Sequence, residues 1–251
     1  MKKLLYCTML SALLSIHVQL NAQQSLEEKM EKEYVVKGSI IKGGKEIEGY
    51  IMKTGTETLM TSTETVPAPW EFQNDIRFIE KSAFDALAKV KLKDFDKYGA
   101  DEIEGYKYQG DSLMTFESVK YADMSAVGTG MIAKKMFMQK FSEGKISLYL
   151  HYAQPAAMGE VSSMEQSMRE GAVGSLVYKV GKDGKLKLVT NLNVKKELAD
   201  CPKVVERFEK GGYGMESDKE EASGLAKLAD QTLSRDAIRL AAIFEYNTIC
   251  K

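Results

Sequence analysis

Strand-forming segments joined by glycine-containing turns are the feature that most constrains how this chain folds. Residues 34–42 and 45–52 flank Gly43-Gly44, and glycine supplies the positive φ that a tight hairpin turn needs. The same pattern predicts three further hairpins, built from residues 102–108 with 112–120, 135–142 with 145–152, and 175–180 with 185–190. Between the first two hairpins we predict short strands over 56–61 and 75–79 and a short helix over 82–88, opened by a Ser82–Asp85 capping box. Successive hairpins favour antiparallel pairing.

The pattern changes to helical spacing after residue 190. Pro202 suits the first position of one helix, and Gly211-Gly212 is a typical helix stop. A second helix is predicted over 218–233 and a third after a Ser234 cap. Strands followed by helices indicate an α+β fold, with an antiparallel, hairpin-rich curled sheet or barrel followed by a C-terminal helical segment. We therefore predict a β-rich domain over 23–190 and a helical segment over 191–251 packed on it.

The first residues of the chain have the pattern of a secretory signal peptide. Lys2 and Lys3 precede an apolar run over 4–16, and Ala22 provides a small residue before a cleavage site ahead of Gln23. The run is too short for a bilayer, which requires about 20 apolar residues. The sequence predicts an exported protein, periplasmic or extracellular, with no transmembrane segment after cleavage of residues 1–22.

Charge and cysteine content restrict the partners and the chemistry. A formal net charge of −1 with interspersed signs gives no basic surface for nucleic acid. Cys201 and Cys250 remain after cleavage, and an even pair in an oxidising compartment predicts a disulfide. Two buried free thiols are the alternative, because cysteine also packs as a small apolar residue.

Histidine is too scarce for several kinds of active site. His151 is the single histidine of the mature chain, so a multi-histidine zinc site is excluded. A serine hydrolase would have to build its relay on His151, and the chain has no Gly-x-Ser-x-Gly motif. Asp94, Asp96 and Gly99 match the start of a calcium loop, but Gly105 stands where the bidentate glutamate belongs. We predict no metal and no cofactor.

Aromatic side chains on the predicted strands are the candidate ligand-binding residues. Tyr106 and Tyr108 share one strand face, and Tyr149 and His151 share another because side chains alternate along a strand. Tyrosine rings stack on sugars or anchor peptides, which makes these four residues a ligand-site hypothesis. The alternative is that they fill the core of a sheet.

Short segments spread over the chain resemble a family of secreted envelope proteins of Bacteroidota that has no assigned activity. The resemblance is carried by Gly38 to Ile51, Tyr98 to Tyr106, Phe141 to Tyr149, Asp200-Cys201-Pro202, and Tyr246 to Cys250. It implies an exported location and a β-rich body with a helical end. It assigns no catalytic residue.

These observations favour an exported, non-enzymatic envelope protein, either a structural module or one that binds a glycan, a peptide or another envelope protein. One alternative is a secreted hydrolase that acts on a glycan or peptide through carboxylates such as Asp101 and Glu104, which requires a cleft with converging acids. A second alternative is an interaction protein that uses the methionine-rich segment from Met158 to Met168 as a docking helix.

Overall fold

The computed structural model describes residues 25–53, 58–61, 64–67, 69–122, 133–153, 174–213 and 225–250, with the backbone alone at 58–61, 64–67 and 225–235. The predicted signal peptide and the segment from Met158 to Met168 lie outside these residues. The chain divides into two compact units. Unit 1 comprises Met1–Thr54 with Asp75–Leu113, and unit 2 comprises Gly55–Asn74 with Met114–Lys251.

The elements are numbered here in chain order. The strands are β1 (Val35–Lys42), β2 (Lys45–Met52), β3 (Thr58–Thr61), β4 (Glu64–Pro67), β5 (Ile76–Glu80), β6 (Asp96–Tyr98), β7 (Gly105–Gln109), β8 (Leu113–Tyr121), β9 (Lys134–Ser142), β10 (Ile146–His151), β11 (Ser175–Val180) and β12 (Lys187–Leu188). The α-helices are α1 (25–32), α2 (Lys81–Ala86), α3 (Val194–Glu197), α4 (Pro202–Glu209) and α5 (Leu225–Ile249). Short 3₁₀ turns occupy Pro69–Gln73, Leu92–Asp94 and Val189–Asn191.

Unit 1 is built on an antiparallel sheet with the strand order β7-β1-β2-β5-β6. The predicted first hairpin is confirmed, since Lys42 pairs with Lys45 and both glycines of the turn have positive φ, 60° at Gly43 and 70° at Gly44. Gly49 lies opposite Gly38 in the middle of this hairpin. A Cβ atom at Gly49 would collide with the Ile79 carbonyl oxygen and the Phe78 ring, so the close packing here requires glycine.

Two short helices cover part of this sheet. Tyr50 packs with Phe84 of α2 at a ring-centroid distance of 4.1 Å. Lys29 of α1 donates to the carbonyl oxygens of Phe84 (2.6 Å) and Leu87 (2.7 Å), because the partial negative charge at the C-terminal end of α2 attracts a cation. Leu26 packs on the same apolar cluster. Together these contacts fix α1 against α2 and β2.

The predicted capping box at the start of α2 is wrong. The helix begins at Lys81 and ends at Ala86, and its N-cap Glu80 makes no side-chain capping bond. Asp85 forms an ion pair with Lys81 one turn earlier. An i,i+4 pair satisfies this carboxylate in place of a backbone amide.

Unit 2 contains a second run of antiparallel strands in the order β8-β9-β10-β11-β12, with β3 and β4 paired as a separate hairpin. The hairpins predicted from β9 with β10 and from β11 with β12 are confirmed, although β12 is only Lys187–Leu188 because the chain turns into a 3₁₀ turn at Val189. The pairing of β9 with β10 shifts register between Leu148 and Tyr149.

The C-terminal helices of unit 2 pack on one face of its sheet. Ile146, Leu148 and Tyr178 form a buried cluster with residues of α3, α4 and α5, among them Ala242 and Ile243. Each of these five side chains is fully buried. The contiguous apolar surface is the main source of stability for this part of unit 2.

The described end of the chain is one continuous helix, so the predicted helix break at Ser234 is wrong. Serine is a common N-cap but also occurs inside helices, and sequence spacing alone does not separate the two cases. Pro202 stands at the start of α4 and Gly211, with φ of 70°, follows its end, as predicted. Cys201 and Cys250 form the predicted disulfide, with a Cα–Cα distance of 5.9 Å, and it joins the start of α4 to the residue after α5.

The α+β fold with antiparallel hairpins and a C-terminal helix is confirmed. The division into segments 23–190 and 191–251 stays a prediction. Within the described part of the chain, no helix combines the length and the hydropathy needed to span a membrane.

Candidate functional site

The aromatic residues predicted to bind a ligand all lie in the interior. Tyr106 and Tyr149 have no exposed surface, and Tyr108 and His151 are each 5% exposed. Burial raises the pKa of the Tyr106 phenol well above its usual range. The His151 ring packs at 4.9 Å from the Tyr121 ring. A ring must expose a face to stack on a ligand, so this structure gives these four side chains core roles.

Tyr149 belongs to a polar network that crosses four strands of unit 2. Its hydroxyl donates to Glu117 Oε2 at 3.0 Å, and Lys140 Nζ lies 3.1 Å from the same oxygen. Lys179 Nζ donates to Glu117 Oε1 at 2.8 Å. Burial acts to raise the pKa of the Glu117 carboxyl, but hydrogen bonds and charge from Lys179 and Lys140 outweigh it and lower that pKa.

We call these four residues, Glu117, Lys140, Tyr149 and Lys179, the closed network. The charged side chains are 28%, 20% and 14% exposed for Glu117, Lys140 and Lys179. Both carboxylate oxygens of Glu117 are engaged by these partners. The closed network therefore has a structural role, since its acceptor has little capacity left for a ligand.

The acids considered for a hydrolase lie at turns. Glu102 Oε2 accepts from the Gly99 amide at 2.7 Å, and Glu104 Oε1 accepts from the Gly43 amide at 3.1 Å. Asp101 is exposed beside them. Each of the two glutamates stabilises a backbone turn, which is an ordinary use of an exposed acid.

A groove of about 490 Å³ lies on the sheet of unit 1, on the face opposite Ile40 and Tyr106. Its polar side chains come from β1, β2, β7 and α2: Lys37, Ser39, Glu46, Glu48, Lys81, Lys107 and Gln109. Leu26 of α1, Tyr50 and Leu113 supply apolar surface. This volume lies in the range of small-molecule sites, which is about 300–1,000 Å³.

A short network organises one end of this groove. Ser39 Oγ donates to Glu46 Oε1 at 2.6 Å, and Lys107 Nζ donates to both oxygens of Glu46 at 2.8 and 2.7 Å. Hydrogen bonds from Lys107 and Ser39 lower the pKa of the Glu46 carboxyl. We call Ser39, Glu46 and Lys107 the groove network, and it holds three strands of the groove in one arrangement.

Two charged side chains of the groove, Lys37 and Glu48, make no salt bridge or hydrogen bond with another described residue. The pKa of Lys81 is raised, first by its hydrogen bond with Asp85 and also by the charge of Glu48. Lys37 lies opposite Tyr50 in the β1–β2 pairing, and Glu48 lies opposite Ser39. Lys81, by contrast, is paired with Asp85. Lys37 and Glu48 are both exposed, so each presents its charge to solvent in the groove.

The described residues contain no group of three or more histidine, cysteine, aspartate or glutamate side chains arranged to hold a metal ion. No protein-family model, curated protein or solved structure matches this chain.

Sequence reasoning missed the groove, although part of the information was present. Lys37, Ser39, Glu46 and Glu48 occupy alternate polar positions on either side of Gly43-Gly44, so a tight hairpin places them on one face. The contribution of Lys107 depends on the pairing of β7 with β1, which joins residues far apart in the sequence. No local pattern specifies that pairing.

Proposed function

We propose that this chain is an exported, non-enzymatic binding module of the cell envelope, and that its ligand site is the groove of unit 1. The observation that carries the proposal is the combination of an organised groove network with two exposed charges that make no salt bridge among the described residues, Lys37 and Glu48, in one concave surface. Because the groove network already holds its side chains in place, less conformational entropy is lost when a ligand binds beside them.

The placement of the chain's titratable groups favours binding over hydrolysis. His151 is buried beside Tyr121, and the glutamates near Asp101 are occupied by backbone amides. Glycoside hydrolysis requires a carboxylic acid and a carboxylate that face each other across the substrate. The groove instead contains Glu46, whose lowered pKa keeps it ionised and whose oxygens are both bonded.

The export part of the proposal is supported by the signal-peptide pattern and by the Cys201–Cys250 disulfide, because disulfides persist in oxidising compartments. Fractionation of cells that express the full chain tests it. We expect a mature form that begins at Gln23 in the exported fraction. An intact chain retained in the cytoplasm would contradict export.

The binding part is tested with the mature chain, residues 23–251, by isothermal titration with a neutral glycan, tri-N-acetylglucosamine, and with the dipeptide L-alanyl-L-alanine. We expect at least one probe to bind and the substitution Gln109→Trp, at the rim of the groove, to abolish that binding by filling it. Lys134→Trp, at an exposed strand position of unit 2, is the matched control and should bind as the unmodified protein does. Binding that survives Gln109→Trp, or no binding of either probe, would overturn the proposal.

A further inference from the structure

We infer that the groove of unit 1 recognises a zwitterionic ligand of the peptide class, with its carboxylate on Lys37 and its ammonium group on Glu48. The inference rests on the proposed function and adds the ligand chemistry to it. Its basis is the distribution of paired and unpaired charges within a single groove.

The charges of the groove balance each other. Lys107 is paired with Glu46 and Lys81 is paired with Asp85. Lys37 and Glu48, one cation and one anion, make no salt bridge with a described residue, although the charge of Glu48 acts on Lys81 at the edge of the groove. A ligand with a large net charge of either sign would meet one attractive and one repulsive group, whereas a zwitterion satisfies both.

The positions of the two free charges suit a short peptide. Lys37 pairs with Tyr50 across the hairpin and Glu48 pairs with Ser39, so Lys37 and Glu48 are diagonal neighbours on one face. Diagonal neighbours in an antiparallel pair are about 7–8 Å apart. Two extended residues span about 7 Å, so the charged ends of a dipeptide have the separation that these two side chains can reach.

The groove also offers apolar contacts for small side chains. Leu26 of α1 and Leu113 line it, and Tyr50 forms part of its floor beside Gly38 and Gly49. Lys29 anchors α1 on α2, which holds Leu26 in this position. A di- or tripeptide with small apolar side chains therefore fits both the charges and the volume.

The experiment compares four probes by isothermal titration against the mature chain. They are L-alanyl-L-alanine, its N-acetyl derivative without the ammonium group, its C-terminal amide without the carboxylate, and tri-N-acetylglucosamine. We expect the unmodified dipeptide to bind and each blocked derivative to bind at least tenfold more weakly.

Matched variants assign each end of the ligand. Glu48→Gln should weaken the unmodified dipeptide by tenfold or more and leave the N-acetyl derivative unchanged, because the ammonium group is already missing there. Lys37→Met should weaken binding of the unmodified dipeptide by tenfold or more. It should leave binding of the C-terminal amide unchanged, because that derivative already lacks the carboxylate. Both residues are exposed, so the variants should retain the thermal melting curve of the parent protein.

The other outcomes are distinguishable. If tri-N-acetylglucosamine binds in the groove and the dipeptide does not, the zwitterion inference is overturned while the binding function stands. If the blocked derivatives bind as well as the dipeptide, the inference is also overturned. If no probe binds, both proposals fail.

Discussion

The groove of unit 1 and the closed network of unit 2 use the same residue types on antiparallel strands, but with opposite consequences. In unit 2, two lysines and a tyrosine hydroxyl engage one glutamate, Glu117, and the charged side chains are at most 28% exposed. In unit 1, Glu46 is exposed and accepts hydrogen bonds from Lys107 and Ser39. The difference is one of burial, since the charged side chains of the closed network are more shielded from solvent than Glu46 and Lys107 in the groove.

The comparison also distinguishes a lysine left unpaired inside the closed network from an exposed charge in the groove. Breaking the closed network leaves lysines in a partly desolvated position, where an unpaired charge is costly. Lys37 and Glu48 in the groove remain solvated, so their lack of a salt bridge costs little.

Glu117→Gln should be strongly destabilising. It removes the counter-charge of Lys140 and Lys179 while keeping the shape of the side chain. We expect a loss of about 2–3 kcal/mol in the free energy of unfolding, below the loss of about 3–5 kcal/mol for fully buried pairs because these groups keep some solvent contact. Urea denaturation at neutral pH measures it.

Glu143→Gln is the control for that substitution, because Glu143 contacts the same Lys140 at 3.4 Å but is 77% exposed. Its effect should stay below about 0.5 kcal/mol. Equal effects at positions 117 and 143 would contradict the account of a closed network.

Tyr149→Phe should cost less than Glu117→Gln. It removes one hydrogen bond to the Glu117 carboxylate and preserves the buried ring. Hydrogen bonds to charged groups contribute about 1.5–3 kcal/mol when buried, and Lys140 and Lys179 still satisfy the carboxylate here, so we expect a loss of about 1 kcal/mol. Tyr152→Phe provides the comparison, because Tyr152 directly follows β10 and has no hydrogen bond to Glu117. A larger loss from Tyr152→Phe would argue against the network.

The contribution of Glu117 should depend on pH. Its folded-state pKa lies below the usual value of 4.5, so its stabilisation is fully present above that pH and is lost as the pH falls through the folded-state pKa. The stability difference between the parent protein and Glu117→Gln should therefore shrink below pH 4.5. Urea denaturation at successively lower pH tests this, and a difference that grows in acid would contradict it.

Among the substitutions within the two networks, Glu46→Gln should have the smallest effect on stability, although it alters the same kind of Lys–Glu pair. Glu46 is exposed, so its bonds with Lys107 and Ser39 compete with water. We expect a change of less than about 1 kcal/mol in the free energy of unfolding. A loss as large as that of Glu117→Gln would remove the distinction between the two regions.

Local patterns were sufficient for much of the fold. The β1–β2 hairpin follows from Gly43-Gly44, and the start and end of α4 follow from Pro202 and Gly211. The errors at Ser82 and Ser234 arise where a residue suited to a cap is placed elsewhere by its tertiary surroundings. The free energy of such a residue is similar at a helix cap and inside a helix, so the local sequence does not decide between these positions.

The candidate site was harder to predict because it depends on nonlocal pairing and on which faces of the sheets are covered. Alternation correctly groups Tyr149 with His151, but it does not reveal that both are buried. Lys107 reaches Glu46 only because β7 pairs with β1. Neither fact has a local sequence signature.

An amide NMR titration of the ¹⁵N-labelled mature chain with L-alanyl-L-alanine tests most directly whether the groove of unit 1 is the ligand site. We expect shifts that saturate and that are centred on Lys37, Ser39 and Glu48, with the amides of Glu117 and Lys179 unaffected. Shifts centred on the closed network, or no saturable shift in the groove, would contradict it.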